Sequence, residues 1–318
     1  MRISYTTVFF IILESRPGLP DTGDRSIWNV HEILQVHISR TQCSPFIKWA
    51  GGKRQLLSEL DKRLPARWNT YFEPFVGGGA LLVHLENKGK ISSAVIADVN
   101  RELINLYHIV QQHPCRLLSA VLNEEFRNDG DSFNRWKREF NSIMGEPGYE
   151  VERAALLIYL NRYGFNGLWR VNSKGEFNVP FGKHADRTLA CEASLIKFSA
   201  LLAKVRVLNA DFETAVKSAK HGDFVYFDPP YMPISKTAHF TDYNSRGFGF
   251  GDQERLAKRF RKLSKKGVQL MLSNSKVAEI EELYSDFHID TVEAKRYINC
   301  NGLRRTGTQE IIVTNYEY

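Results

Sequence analysis

Cysteine is scarce in this sequence, and its cysteines are far apart along the chain. The chain of 318 residues contains 4 of them, scattered at Cys43, Cys115, Cys191 and Cys300 with no Cys-x-x-Cys motif. This spacing argues against a zinc site and against a disulfide framework, and it favours a reducing cytosol. The sequence also has no cluster of metal ligands, so we expect a reaction that needs no metal ion.

Long hydrophobic runs are missing too. The apolar segment near the N-terminus, Val8–Leu13, is far too short to span a bilayer. It resembles the core of a signal peptide, but the following sequence, ESRPGLPDTGDR, offers no small-residue cleavage site. We therefore interpret residues 1–43 as an N-terminal appendage, expect residues 1–40 to be dispensable, and predict a cytoplasmic protein with no membrane partner.

The Gly-x-Gly-x-x-Gly motif of dinucleotide sites is also absent, which argues against a nicotinamide oxidoreductase. What the chain does have is a composition that is 43% hydrophobic, enough for a substantial core. Its net charge of +7 and isoelectric point of about 9.1 are a mild basic excess. Such an excess fits a polyanionic partner without proving one.

Short apolar runs alternate with helical patterns over much of the chain, which predicts an α/β fold with a mostly parallel sheet. Beyond a short strand before the glycines of FEPFVGGGA, the predicted strands are Ser93–Asn100, Val205–Leu208, Phe224–Phe227, Val268–Leu272, Phe287–Val292 and Glu310–Tyr316. Residues 103–202 instead have a largely helical pattern, and VNSKGEF within them resembles a hairpin turn. We therefore predict one α/β domain from residues 44–102 and 203–318, with residues 103–202 inserted as a second domain.

The segment FEPFVGGGA, residues 72–80, places three glycines between a strand and a helix, where the backbone can approach a ligand closely. Asp98 follows Gly79 after 19 residues, at the end of the next predicted strand, and an acid at this place can bind ribose hydroxyls. Glu73 would repel an anionic cofactor but not a positively charged one. The glycines alone fit a ligand-free tight turn equally well, and it is Asp98 that favours binding. Upstream, FIKWAGGKRQLL is a ligand edge or a surface helix start, and the residues leave both open.

The segment DFVYFDPPY ends an apolar strand with an acid and two prolines. Residues before proline are held extended, so the Asp228 carboxylate and the nearby carbonyls can converge on one point. Because Pro229 and Pro230 have no N–H, the site consists almost only of acceptors, which suits an NH2 group. Tyr231 can stack on a flat ring. An isolated Pro-Pro-Tyr would more often be a strand terminator, and the preceding acid together with the glycine turn favours a nucleobase amino group.

From about Pro45 to its C-terminus, the chain resembles the Dam-type DNA adenine methyltransferases of the D12 class. The resemblance rests on FIKWAGGK, FEPFVGGGA, the long segment LNRYGFNGLWRVNSKGEFNVPFG and DPPY, in that order. It implies a Rossmann-like methyltransferase sheet of about seven strands, with a largely helical target-recognition domain that carries a β-hairpin. It also implies methyl transfer from S-adenosyl-L-methionine to the N6 amino group of a flipped adenine in double-stranded DNA, typically within GATC.

The resemblance further implies a role for individual residues. For the cofactor pocket it names Trp49, Lys53, Glu73, Pro74, Phe75, Gly77, Gly79, Asp98, Asp211, Phe212 and Asp228, with Asp211 near the cofactor adenine. For catalysis it names Asp228, Pro229, Pro230 and Tyr231. For DNA contact it names Lys48 at the outer guanine, Phe165 and Asn166 beside the extruded adenine, Arg170 at a guanine, and Leu168, Pro180 and Lys183 at neighbouring positions. Lys183 stands where the enterobacterial members of that family have Arg, so its contact is expected to differ. Asn301–Arg305 would touch the DNA backbone.

Several alternatives stay open at the level of the sequence. Cytosine N4 or an RNA base is another possible target, although cytosine enzymes more often carry Ser before Pro-Pro-Tyr. A DNA-binding protein that has lost catalysis is a candidate of a different class. We expect a monomer, because a palindromic site can be methylated one strand at a time. A functional pairing with a restriction endonuclease is compatible with the sequence and is not decided by it.

Overall fold

A computed structural model of the protein describes residues 42–49, 51, 53–183, 192–232, 248–294 and 308–318. Nearly all of the predicted N-terminal appendage and the whole predicted DNA-backbone segment Asn301–Arg305 lie outside these residues. The chain divides into two compact units. The sheet unit consists of Gly51–Ile104 and Lys204–Tyr318, and the helical unit consists of Asn105–Ala203 with the described residues before Gly51.

The sheet unit contains a seven-stranded sheet. Its strands are β1 (Tyr71–Glu73), β2 (Ala94–Asp98), β3 (Val205–Asn209), β4 (Phe224–Phe227), β5 (Gln269–Ser275), β6 (His288–Ala294) and β7 (Thr308–Thr314). They lie in the order β3-β2-β1-β4-β5-β7-β6. Neighbours from β3 to β5 are parallel, whereas β7 is antiparallel to both β5 and β6. The prediction of a mostly parallel sheet of about seven strands is confirmed.

The apolar runs form strands because both faces of the central sheet are covered. All four residues of β4 are buried. A helix that follows the DPPY segment packs against the sheet through Leu256, Ala257, Phe260 and Leu263, which repeat at helical spacing. The chain order reverses between the adjacent strands β1 and β4, and in open α/β sheets ligands bind outside the carboxyl ends of the strands at such a reversal.

Ten α-helices are found among the described residues. They are α1 (Leu57–Lys62), α2 (Ala80–Asn87), α3 (Arg101–Gln112), α4 (Pro114–Val121), α5 (Gly130–Ile143), α6 (Glu150–Tyr163), α7 (Glu192–Leu202), α8 (Phe212–Ala215), α9 (Phe250–Ser264) and α10 (Ala278–Leu283). Lys53–Gln55 and Phe165–Gly167 form single 3-10 turns. No helix within the described ranges is both long and apolar enough to cross a membrane.

Helix α6 is the centre of the helical unit, since most of its residues are buried. After it the chain turns at Phe165–Gly167 and then forms a short antiparallel turn. Val171 bridges Phe177, and the Asn172 N–H donates to the Glu176 carbonyl at 2.9 Å. The segment VNSKGEF thus reverses the chain, as a hairpin turn does.

Candidate active site

Asp228 lies directly after β4, where the two prolines end strand pairing. Its Oδ1 atom is held from two sides, by Lys53 Nζ at 2.8 Å and by the Ser273 hydroxyl, which donates at 2.9 Å. The side chains of Lys53 and Asp228 are only 12% and 16% exposed. No described residue donates a hydrogen bond to Asp228 Oδ2. One carboxylate oxygen is therefore fixed, and the other is left for a ligand.

Burial raises the pKa of Asp228 above its usual value, and it is the largest influence on that group. Lys53 and the hydroxyl of Ser273 act in the opposite direction, because both stabilise the ionised carboxylate. Ser273 is itself fully buried, and its hydroxyl also bonds the Tyr226 hydroxyl at 2.8 Å. The carboxylate thus ends a chain of buried hydroxyl groups that fixes its orientation.

Tyr231 is held by its hydroxyl and approached by a cation. The hydroxyl donates to Glu310 Oε2 at 2.9 Å, and Lys53 Nζ lies 4.3 Å from the ring centroid. Burial raises the pKa of Tyr231 well above its usual value, so the ring stays a neutral phenol that can stack. The orientation of the aromatic ring therefore depends on β7, which supplies Glu310.

The backbone carbonyls of Pro229 and Pro230 differ in their hydrogen bonds. The carbonyl of Pro230 accepts a hydrogen bond from Gln253 Nε2 at 3.0 Å, and Asn274 Nδ2 donates to Gln253 Oε1 at 3.1 Å. The carbonyl of Pro229 accepts no hydrogen bond from any described residue. Two acceptors, the Pro229 carbonyl and Asp228 Oδ2, are thus available in consecutive residues.

The glycine turn and Asp98 are in direct contact. Gly77 and Gly79 have φ angles of 48° and 68°, in the left-handed region that favours glycine. The Gly77 N–H donates to Asp98 Oδ2 at 3.2 Å, and the Asn100 N–H donates to Asp98 Oδ1 at 2.9 Å. Burial raises the pKa of Asp98 despite these bonds. The glycine turn and Asp98 thus lie side by side, and the predicted binding of ribose hydroxyls by Asp98 stays a prediction.

Glu73 ends β1 and is buried, with 3% of its surface exposed. Burial raises its pKa to about 8, although the carboxyl accepts hydrogen bonds from the Tyr71 hydroxyl, at 2.9 Å, and from the Leu82 N–H in the first turn of α2. Glu73 is therefore mostly uncharged at neutral pH. The sequence predicts that Glu73 repels anionic ligands. A mostly protonated Glu73 carries little negative charge, so this repulsion is weak. Pro74, the next residue, is also buried.

An aromatic cluster lies beyond this turn. The rings of Phe75 and Phe212 stack with centroids 5.6 Å apart, and Phe248 packs edge-on against both. Asp211 caps α8 by accepting from the Thr214 N–H at 3.0 Å. Its second oxygen lies 2.9 Å from the guanidinium of Arg255. Phe75, Asp211 and Phe212, predicted from widely separated segments, thus form one neighbourhood.

The helical unit holds Lys48 and Trp49. Lys48 is exposed, and its backbone is bound by the side chain of Asn161. The indole of Trp49 stacks on Trp169 with ring centroids 6.0 Å apart. Trp169 also packs edge-on against Phe140, so both indoles belong to an aromatic cluster of this unit.

The predicted DNA-contact residues that follow α6 are nearly all on the surface. Phe165, Asn166, Arg170, Pro180 and Lys183 are exposed and Leu168 is half-buried. Asn166 and Lys183 have φ angles of 54° and 49°, which few residues other than glycine adopt. The Arg170 guanidinium bonds both the side chain and the carbonyl of Asn178, at 2.7 and 3.0 Å.

Sequence reasoning missed several residues that hold this site. Ser273, Glu310 and Gln253 come from β5, β7 and α9, and each acts on the DPPY segment from far along the chain. No local motif surrounds them that would have revealed the contact. Within the described residues there is no group of three or more His, Cys, Asp or Glu side chains that could hold a metal ion.

The sheet order, with β7 as its antiparallel strand, is that of the class I methyltransferase-like fold, and the acceptor-rich site lies at the carboxyl ends of its strands. The chain belongs to the D12 class N6 adenine-specific DNA methyltransferases, whose family model matches residues 49–298. It is therefore an enzyme that methylates adenine in DNA.

Individual relatives agree with this membership. The chain is 43% identical over 274 residues to the type II methyltransferase M1.LlaDCHI of Lactococcus lactis subsp. cremoris, covering 86% of this chain and 95% of that protein. It is 41% identical over 296 residues to the type II methyltransferase M.MjaIII of Methanocaldococcus jannaschii, covering 86% and 100%. The DNA adenine methylase of Escherichia coli K12 is 34% identical over 270 residues, covering 84% and 93%.

Proposed function

We propose that this enzyme transfers the methyl group of S-adenosylmethionine to the N6 amino group of an adenine extruded from duplex DNA, within GATC. The observation that carries the proposal is the pair of acceptors after β4. Asp228 is held by Lys53 and Ser273 through Oδ1 alone, while its Oδ2 and the Pro229 carbonyl receive no donor from the described residues. An amino group with two hydrogens matches such a pair.

The acceptors address a specific chemical difficulty. The lone pair of an exocyclic amino nitrogen is delocalised into the base, so the nitrogen is a poor nucleophile. Asp228 Oδ2 and the Pro229 carbonyl, each accepting one amino hydrogen, draw the nitrogen toward tetrahedral geometry and free its lone pair. Tyr231 stacks on the base and holds it in line for attack. The proton that the nitrogen loses after transfer can pass to Asp228, whose pKa burial has raised.

The residues around the glycine turn fit S-adenosylmethionine. The left-handed glycines Gly77 and Gly79 let the backbone come close to a ligand, and Asp98 is oriented by two backbone N–H groups, with lone pairs remaining for ribose hydroxyls. The stacked rings of Phe75 and Phe212 offer an apolar surface for an adenine. When bound, the cofactor supplies a methyl group on a positively charged sulfur. The family pattern adds the remaining cofactor residues, Trp49, Lys53, Glu73, Pro74 and Asp211.

Extrusion of the adenine costs roughly a few kcal/mol, and a group that fills the gap offsets part of this cost. Phe165 and Asn166 are exposed and adjacent, as a wedge of this kind requires. We assign guanine recognition to Arg170 and Lys48, and contacts with neighbouring positions to Leu168, Pro180 and Lys183. These assignments rest on the family pattern and on the surface exposure of all but Leu168.

We further propose that the enzyme acts as a monomer, in a modification role beside a restriction endonuclease. The monomer follows from a palindromic site that can be methylated one strand at a time. The modification role is suggested by the names of the Lactococcus and Methanocaldococcus relatives, both of which are type II methyltransferases.

The test uses purified protein, S-adenosylmethionine with a tritiated methyl group, and duplexes with and without GATC. The DNA is digested to nucleosides after the reaction. Label in N6-methyladenine from GATC duplexes alone is expected. Label in N6-methyladenine from every duplex would overturn the assigned specificity and keep the chemistry, and label in cytosine would overturn the assigned target.

A further inference from the structure

Asn161 is a buried polar residue that none of the roles above requires. It lies in the last turn of α6 and is 4% exposed. Its Oδ1 accepts from the Lys48 N–H at 2.9 Å, and its Nδ2 donates to the Lys48 carbonyl at 2.7 Å and to the Gly167 carbonyl at 3.0 Å. One side-chain amide thus uses both of its donors and its acceptor on the backbones of two other segments.

These bonds fix two segments to each other. Asn161 binds both the N–H and the carbonyl of Lys48, so its side chain satisfies the backbone hydrogen-bonding groups of that residue as a paired strand would. Gly167 has a φ angle of 64° and packs against Lys48 so closely that an added Cβ would lie 2.8 Å from Lys48 Cβ. The turn that begins at Phe165 is therefore held against the Lys48 segment by hydrogen bonds and by steric contact.

We propose that Asn161 is a positioning residue for DNA recognition, which holds Lys48 and the Phe165–Gly167 turn in one fixed arrangement. The inference rests on the proposed function, in which Lys48 contacts the outer guanine while Phe165 and Asn166 fill the gap left by the adenine. Through Asn161, reading of the guanine and extrusion of the adenine are coupled, since neither segment can shift without breaking a hydrogen bond to the shared amide.

An aspartate at this position would separate positioning from packing. The Asn161→Asp side chain keeps its volume and an acceptor for the Lys48 N–H, but it loses both donors. Two backbone carbonyls would then face a carboxylate, and the two segments would be pushed apart. We expect the ratio of kcat/KM for GATC over a duplex with the outer guanine replaced to fall about tenfold. We also expect less fluorescence from 2-aminopurine placed at the target adenine.

Asn315 supplies a matched control in the sheet unit. Its side chain also makes three hydrogen bonds, accepting from the Leu270 N–H and donating to Ser264 Oγ and the Val268 carbonyl. The Asn315→Asp variant loses the same two donors, but it touches none of the residues proposed to contact DNA. It is expected to lower Tm and to leave the base preference and the 2-aminopurine signal unchanged. If both variants lower kcat/KM on both duplexes by the same factor, Asn161 is merely structural and the proposal is overturned.

A second variant avoids dependence on the stability of Asn161→Asp. The added methyl group of Gly167→Ala would crowd Lys48 and strain a left-handed turn, so Lys48 or the turn must shift while the Asn161 side chain itself is unchanged. The same loss of base preference is therefore expected. Lys48→Ala, alone and combined with Asn161→Asp, completes a double-mutant cycle. After that substitution, Asn161→Asp should reduce the base preference little further, because the two residues act together. Fully additive effects would contradict the proposal.

Failure of the proposed function would be distinguishable from failure of this inference. Wild-type protein that methylates adenine without preference for the outer guanine would overturn the assigned specificity. In that case, the Kd for duplex DNA is measured for Asn161→Asp, Lys48→Ala and the double variant, to test whether Asn161 positions Lys48. Non-additive Kd changes support it, and additive changes overturn it.

Discussion

In the sheet unit, the side chains proposed for chemistry are mostly buried or half-buried, whereas in the helical unit those proposed for DNA contact are mostly exposed. Asp228 is fixed by an ion pair and a buried hydroxyl. Lys48 and the Phe165 turn are instead fixed through their backbones, which leaves the side chains at the surface. Chemistry needs groups whose charge and orientation are set by burial, while recognition of DNA needs groups that reach outward from a rigid backbone.

The largest effect is expected from Asp228→Ala. Removing the acceptor should lower kcat by roughly 10²–10³-fold, the size seen when a single group that stabilises a transition state is lost. Duplex affinity should be largely retained, because Asp228 contacts only the amino group of the target adenine and the other proposed DNA contacts belong to other residues. Asp228→Asn keeps one acceptor and should fall between the wild type and the alanine variant. A large loss of DNA affinity in Asp228→Ala would contradict the division of roles.

Arg170→Lys is expected to weaken recognition of its guanine. A lysine cannot reproduce the bidentate contact, so discrimination should fall by about 1–3 kcal/mol, which is roughly 5- to 150-fold. The measurement is kcat/KM on GATC duplexes and on duplexes changed at one guanine. Arg135→Lys is a suitable control, because Arg135 is an exposed residue of α5 that pairs with Glu125. Equal behaviour of the two variants would remove Arg170 from the recognition surface.

Ser273→Ala should change the pH dependence of methylation. The Ser273 hydroxyl stabilises ionised Asp228, so its loss raises a pKa that burial has already raised. The acid limb of the kcat profile should therefore move to higher pH, because a hydrogen bond to the charged form of the carboxyl is lost. Tyr226→Phe keeps the bond from Ser273 to Asp228 and should shift the limb less. An unchanged limb in Ser273→Ala would show that Asp228 does not control it.

Glu73→Gln is expected to have the smallest effect on activity and to alter stability instead. The pKa of Glu73 rises from its ordinary value of 4.5 to about 8 in the folded protein. The folded state therefore holds a proton that the unfolded chain has released. Stability is highest below about pH 4.5 for this group and falls as the pH rises through 8. Thermal unfolding at several pH values should show a flatter dependence in the glutamine variant, and parallel curves would contradict the raised pKa.

The strands of the sheet unit could be predicted because short apolar runs are bounded by turns. The C-terminal end of β5 could not be predicted in this way. The sequence indicates a strand that stops at Leu272, yet Ser273, Asn274 and Ser275 continue it and are fully buried. Hydrogen bonds to Asp228, Gln253 and the Met232 carbonyl satisfy these polar side chains, and such long-range partners leave no local trace in hydropathy. The strand order, with β7 inserted between β5 and β6, was likewise beyond local patterns.

The site was predictable to the extent that motifs carry it. DPPY, the glycine turn and Asp98 stand in short recognisable segments, whereas the hydrogen bond from Gly77 to Asp98 is seen only in the structure. The charge of Glu73 was not predictable, since it depends on burial. Asn161 stands within a recognised segment, but its function follows only from the hydrogen bonds that it makes to Lys48 and Gly167.

The most direct test compares one variant from each unit in the same experiment. Methylation rate and duplex Kd are measured for Asp228→Ala and Arg170→Ala, each on a GATC duplex and on one with the guanine assigned to Arg170 replaced. The account predicts that Asp228→Ala loses rate on both duplexes and keeps the wild-type ratio of Kd values, whereas Arg170→Ala loses that ratio and keeps measurable methylation. An Asp228→Ala variant that methylates at the wild-type rate would contradict the central claim that the acceptors after β4 activate the adenine amino group.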